Sequence, residues 1–313
     1  MIMYIRDIVT LKTPYRNDFK IKGYHFGKGE KSACIMGPIR GNEIQQLYIC
    51  SQLVKKLKEL ESNNCISSGK EIMVIPCMNN FSINVGRRFW AVDNTDLNRE
   101  FPGNDYGETT ERIAYRMMEE IKEYTYGIQF ASFYMTGEFI PHVRMMETGF
   151  QNTSLANLFG LPYVVVRKPR PIDTKTLNFN WQRDETAAFS VYTNKNDEID
   201  LISAKQAVAA VLRFLTRMGI IKYESHSGYI SHVIMEDDLT NVHSCSAGIF
   251  RNFVKSGQEI HYKEPMGEVI DPYEGRIIET ILAPTEGIVF FTHKEPIVSQ
   301  NELIYRLIHR LHE

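Results

Sequence analysis

The stretch from Ser32 to Leu60 constrains this chain most. Residues 32–37 (SACIMG) form a short apolar run of strand length, and a six-residue turn, Pro38 to Glu43, follows it. From there Ile44, Leu47, Cys50, Val54, Leu57 and Leu60 recur at helical spacing. A buried strand feeding directly into an amphipathic helix is the unit of an α/β sheet, and the turn between them lies at the carboxyl end of the strand, where such sheets place their ligands. The pattern repeats. Glu71 to Pro76 reads as a second strand, Glu108 to Tyr124 as a helix, Ile128 to Tyr134, Leu161 to Arg167 and Ala188 to Thr193 as strands, and Ile202 to Met218 as a helix with Ala207, Val211, Phe214, Leu215 and Met218 on one side. These elements predict an α/β domain with a largely parallel sheet over residues 1–225.

From about His226 the texture changes. Short apolar runs broken by Gly and Pro (Ala247 to Phe253, Met266 to Ile270, Ile277 to Ala283) predict a small all-β domain over 226–313, with hairpin-like turns at Lys255 to Glu259 and Ala283 to Val289. Net charge is −2, from 36 basic and 38 acidic residues spread along the chain, which argues against nucleic acid or an anionic membrane surface as partner. No apolar run approaches membrane-spanning length. Arg6, Asp7 and Lys12 deny the first fourteen residues the apolar core of a secretion signal, and five cysteines without CxxC spacing fit reduced thiols. A cytoplasmic protein is the expectation.

Two segments carry chemistry. The turn Arg40-Gly41-Asn42-Glu43 sets a carboxylate in the first turn of a helix, favoured by the helix dipole whether or not it has a further role. Arg40 and Glu43, three apart, are also positioned to pair. The second segment lies in a long polar loop, Asn79 to Gly107, where Arg88-Phe89 precedes Asp96-Leu97-Asn98-Arg99-Glu100-Phe101-Pro102-Gly103. A guanidinium fork beside an amide is suited to hold a carboxylate, while the structural alternative is a solvated loop in which Asp96 pairs with Arg99.

These segments, together with Pro141-His142-Val143-Arg144, Phe159-Gly160-Leu161-Pro162 and the Gly/Pro-punctuated tail, resemble in order the motifs of the succinylglutamate desuccinylase/aspartoacylase family. The resemblance spans essentially the whole chain. It implies a carboxypeptidase-like α/β fold, a twisted mixed sheet flanked by helices, with zinc held by two histidines and a glutamate. Glu43 stands at the glutamate ligand, but Arg40 and Ser132 occupy the family's histidine positions and Tyr192 falls at or near its general base. By the same resemblance Arg88 polarises the acyl oxygen, and Asn98, Arg99 and Arg144 bind the substrate carboxylate. A guanidinium cannot ligate a metal, and catalytic zinc needs three protein ligands.

No cofactor is therefore expected, and the leading expectation is a protein that binds an N-acyl amino acid or similar carboxylate, or a partner protein, without cleaving its ligand. That role is compatible with a homo-oligomer, or with a hetero-oligomer containing an active relative. The alternative is an active hydrolase holding zinc through non-standard ligands. His232, Asp237, Asp238, His243 and Cys245 lack a recognised ligand spacing and are read as solvated or core residues. His142 reads as a hydrogen-bonded structural histidine.

Overall fold

The computed structural model describes residues 3–13, 17–133, 135–195 and 198–309. Three strands open the chain, β1 (Tyr4–Leu11), β2 (Phe19–Gly27) and β3 (Gly29–Met36), and α1 (Ile44–Ser62) then leads to β4 (Gly69–Ile75). The long polar segment contains α2 (Asn80–Asn84) and a 3-10 turn at Leu97–Arg99, and α3 (Thr109–Ile121) follows. Next come β5 (Tyr126–Ala131), β6 (Gly137–Phe139), β7 (His142–Met146), α4 (Thr153–Asn157), β8 (Tyr163–Arg167), α5 (Leu177–Arg183), β9 (Ala187–Tyr192), α6 (Leu201–Arg217) and β10 (His232–Met235). The remainder is strand: β11 (Thr240–His243), β12 (Gly248–Asn252), β13 (Glu259–Ile260), β14 (Pro265–Ile270), β15 (Ile277–Leu282), β16 (Gly287–His293), β17 (Ile297–Val298) and β18 (Leu303–His309).

Nine strands form one sheet in the order β1-β2-β4-β3-β5-β9-β7-β8-β10. Its centre is parallel, β4, β3, β5 and β9 running together. The sheet as a whole is mixed, because the β1–β2 hairpin joins β4 antiparallel and the parallel trio β7, β8 and β10 runs against β9. Both faces of the centre are covered, so beyond their first one to three residues its strands bury every side chain. Ala33 and Ile35 of β3 enter a core with Leu53 and Leu57 of α1 and Val211 and Phe214 of α6, while Cys34 and Met36 face Ile113 and Met117 of α3 and Trp181 of α5.

The stripe that α1 buries includes Cys50, Val54, Leu57 and Leu60 as expected and departs from the expectation only near the start of the helix. Ile44 and Leu47 lie at its margin, while Gln45 and Gln46 are buried because their amides are bonded, Gln45 to the Asp200 carbonyl and Ser203 at the start of α6 and Gln46 to the Ala131 carbonyl at the end of β5. On the other face α5 lies close against the sheet. A Cβ at Gly127 would stand 2.7 Å from the Trp181 ring, so only glycine allows that approach.

The C-terminal strands form two further sheets, β11-β18-β16-β13 with β6 paired to β16, and β15-β14-β12-β17. The turns at 255–259 and 283–289 are not hairpins. Each joins strands of different sheets, whereas β14 and β15 form the true hairpin. Pairing also crosses residue 225, since β10 extends the first sheet beside β8 and β6 joins the C-terminal barrel-like layer. None of the five cysteines is in a disulfide, and among the described residues no helix is long and apolar enough to cross a membrane.

Candidate functional site

The carboxyl ends of β3, β5 and β9 converge on the turn that starts α1. Glu43 is the residue before the helix, 1% exposed, and its side chain folds back so that Oε2 accepts from the N–H groups of Ile39 at 2.8 Å and Arg40 at 3.0 Å. Its other oxygen accepts a short hydrogen bond from the Ser132 hydroxyl, at the end of β5, and lies 3.5 Å from Nη1 of Arg40. The turn is wedged against the long loop. A Cβ at Gly41 would stand 2.2 Å from the Arg87 carbonyl oxygen.

Arg40 is the centre of this arrangement. Its Nε and Nη2 donate to Oδ1 and Oδ2 of Asp96 at 3.0 and 2.9 Å, a bidentate fork, with the side chain 6% exposed. Burial works against its charge, but Asp96 and Glu43 beside it hold the guanidinium above its ordinary pKa. The Asp96–Arg99 pair of the structural alternative is therefore not formed. Arg99 turns the other way and donates to Oδ1 of Asp173 at 3.1 Å and the Ile172 carbonyl at 2.8 Å. Asp96 is taken by Arg40, and Arg99 by Asp173 from the segment that leads into α5.

The cleft beside Glu43 is lined by Arg40, Asn98, Arg99, Ser132, Arg144 and Tyr192. Six of the eight residues singled out in the sequence thus share one cavity wall, and Glu43 and Arg88 border it through their contacts with Ser132, Arg40 and Phe133. Their availability differs. Asn98 spends its Oδ1 on the N–H of Leu177 at 3.3 Å, and Arg99 is held by Asp173, which also takes Arg167 at 2.8 Å. Arg144 and Arg88 make no ion pair among the described residues. Arg144 lies 4.5 Å from the centre of the Tyr192 ring, and Arg88 makes a long contact of 3.5 Å to the Phe133 carbonyl. Burial, and then repulsion from Arg40, push Arg88 below its ordinary value.

Tyr192 is buried and flanked by Arg144 and by His142, whose ring stacks on it at 4.8 Å and 7°. Burial raises its phenol above the ordinary value against the opposing pull of Arg144 and Arg40. It stays protonated at neutral pH. His142 donates through Nδ1 to the Ile140 carbonyl at 2.8 Å, and burial, reinforced by Arg144, pushes it down to about 3.

The sign of its linkage is definite. Between pH 6.5 and 3 the unfolded chain binds this proton and the folded one does not, so stability is complete above 6.5 and lost as pH falls. From pH 6.5 to 5 the wild type is expected to lose on the order of 2 kcal/mol more than His142→Phe, read from urea midpoints. Equal losses would exclude His142 as the titrating group.

Several lining residues have no motif to announce them. Gln129, Ser190, Asn178 and Asp173 reach the cavity because register sets Gln129, Ser190 and Arg144 side by side on β5, β9 and β7 and because α5 covers that face. The outlying set His232, Asp237, Asp238, His243 and Cys245 does not converge. Among the described residues no three His, Cys, Asp or Glu side chains are grouped as a metal would require.

A family model described as the succinylglutamate desuccinylase/aspartoacylase catalytic domain matches residues 30–188, a span that includes Arg40, Glu43, Arg88, Asn98, Arg99, Ser132 and Arg144. No curated protein matches the chain. Solved structures with the same fold include a succinylglutamate desuccinylase from a Silicibacter species, at 16% identity and a TM-score of 0.83 over 97% of this chain and 94% of that one. The product-bound ectoine utilization protein EutE (DoeB) of Ruegeria pomeroyi superimposes at 17% identity and a TM-score of 0.82, again over 97% and 94%. An aspartoacylase family protein of Mesorhizobium loti gives 20% identity and a TM-score of 0.80 over 100% and 96%. At these identities the likeness concerns the carboxypeptidase-like fold.

Proposed function

The chain belongs to the succinylglutamate desuccinylase/aspartoacylase family, and from that premise we propose that it binds a small carboxylate of the N-acyl amino acid class without zinc-dependent cleavage. One observation carries this reading: the surroundings of Glu43. Its oxygens are engaged by two backbone N–H groups, the Ser132 hydroxyl and the Arg40 guanidinium. That donor set does not fit zinc, which takes neutral imidazole, thiolate or carboxylate. At an effective dielectric near 20, a unit positive charge roughly 4 Å from a divalent ion opposes its binding by about 8 kcal/mol. Arg40 supplies one permanent positive charge in place of the ion, and Tyr192, kept protonated by burial, is no substitute for a general base.

The ligand's carboxylate goes to Arg144. Of the three residues first matched to that task, Asn98 and Arg99 already hold protein partners, whereas Arg144 lines the cleft with no ion pair among the described residues, its nearest acid being Glu236, which already pairs with Arg167 and Arg306. Arg88 is the second free cation and suits a polarised acyl oxygen. A cytoplasmic protein that binds such a ligand without turnover fits a regulatory role, alone as a homo-oligomer or beside an active relative.

Metal analysis of protein purified without chelator is expected to return under about a tenth of an equivalent of zinc. N-acetyl and N-succinyl amino acids are expected to raise the melting temperature. Arg144→Ala is expected to weaken their binding about 10- to 100-fold, the loss of a hydrogen-bonded charge. One equivalent of zinc together with release of the acyl group would replace this reading with that of an active hydrolase using unusual ligands.

A further inference from the structure

The cavity changes character on the side of Arg144 that α5 covers. Asn178 lines it and is 3% exposed, yet neither its amide nitrogen nor its amide oxygen has a hydrogen-bond partner among the described residues. Gln129, also 3% exposed, lines the same wall. Buried amides are almost always paired, because a desolvated donor or acceptor left without a partner costs free energy. Asn178 differs from nearby Asn98 and from Asn180, of which only the amide oxygen is unpartnered, in having both ends of its amide open. Asn98 caps the start of α5 through Leu177, and Asn180 donates to the carbonyls of Thr174 and Thr176, whereas Asn178 holds nothing. Water can serve these groups in the resting protein, and a ligand that displaces it must reproduce its bonds.

The chemistry of that ligand group follows from both ends of Asn178 being open. A carboxylate accepts hydrogen bonds but cannot donate, so it would satisfy the amide nitrogen and confront the amide oxygen with like charge. A neutral carboxamide both donates and accepts. Size agrees. The cavity measures ≈ 40 Å³, and at roughly 10–15 Å³ for each water-sized group it admits about three such groups. That is the carbon, oxygen and nitrogen of a carboxamide head, and not an entire acyl amino acid. Arg144, next to Ser190 and Gln129 in the same row of the sheet, is placed to hold the carboxylate at the mouth while the head enters.

We propose that Asn178 and Gln129 form a specificity site for a neutral carboxamide, so that the preferred ligand is an N-acyl amino acid whose side chain ends in that group. The proposal rests on the carboxylate-binding reading above. Calorimetric titration of the full chain with N-acetylglycine, N-acetylglutamine and N-acetylglutamate separates the two.

The glutamine derivative is expected to bind at least about 10-fold tighter than either of the others. Asn178→Leu is expected to bring it down to the level of N-acetylglycine while leaving N-acetylglycine itself unchanged. Should that variant fail to fold, Gln129→Leu is expected to cause the same selective loss. Equal affinity for all three compounds, a preference for the glutamate derivative, or a glutamine preference that survives in the folded variants would overturn the specificity site and leave the carboxylate reading intact. Binding of none of the three by correctly folded protein would overturn both.

Discussion

Replacing Arg40 by methionine is expected to cost the fold about 3–5 kcal/mol, the scale for breaking a buried ion pair by removing one partner. The magnitude comes from what is left behind rather than from what is removed. Asp96, whose side chain is 19% exposed, loses both prongs of its fork, and Glu43, 1% exposed, loses its nearest positive charge and cannot move to water without unpicking the turn between β3 and α1. Urea unfolding should show a lower midpoint with an unchanged slope. Adding Asp96→Leu should recover part of the loss, because deleting both partners of a buried pair is far less harmful than deleting one. A loss below about 1 kcal/mol would mean that the Arg40–Asp96 fork is solvated and carries little energy.

The double variant Arg40→His with Ser132→His is expected to acquire one equivalent of zinc that neither single variant holds. Both positions address the same oxygen of Glu43, one through the Ser132 hydroxyl and the other through Nη1 of Arg40, so two imidazoles there complete a three-ligand set. Asp96 then becomes available to orient the new histidine at position 40, the usual duty of a carboxylate behind a metal-bound imidazole. Without metal the variant should be unstable for the reason given for Arg40→Met. Zinc at one hundred times its Kd should restore about 2.7 kcal/mol by mass action. Absence of any zinc-dependent gain in stability would mean that the two positions do not face one site.

Much of the fold was legible because its signals are local. The helical spacing from Ile44 to Leu60 and from Ile202 to Met218 produced α1 and α6 within a residue or two, and the β-branched run at 161–167 contains β8, which starts two residues later. The opening hairpin β1–β2 was not foreseen: β1 (YIRDIVTL) lacks regular alternation, while the alternation of Phe19, Lys20, Ile21 and Lys22 in β2 is a strand signal that was available in the sequence. Nor was β10 placed in the first sheet, because strand pairing across 65 or more residues leaves no trace in local periodicity.

The site divides in the same way. Motif residues could be found by type and order, and six of them do line one cavity. The choice of partners could not. Arg40 pairs with a carboxylate 56 residues away and Arg99 with one 74 away, and which arginine reaches which acid depends on the path of the loop between them. Gln129, Ser190 and Asn178 come together through register and through the close approach of α5, permitted by a glycine whose role is apparent only against the Trp181 ring.

The sequence alone thus determined the family and the order of strands and helices along the parallel core, because each of these is written in residue type and short-range spacing. Only the tertiary structure decided which cations remain free to meet a ligand. Ion pairing is a contest among all charges within a few ångströms, and distance in the fold, not along the chain, settles it.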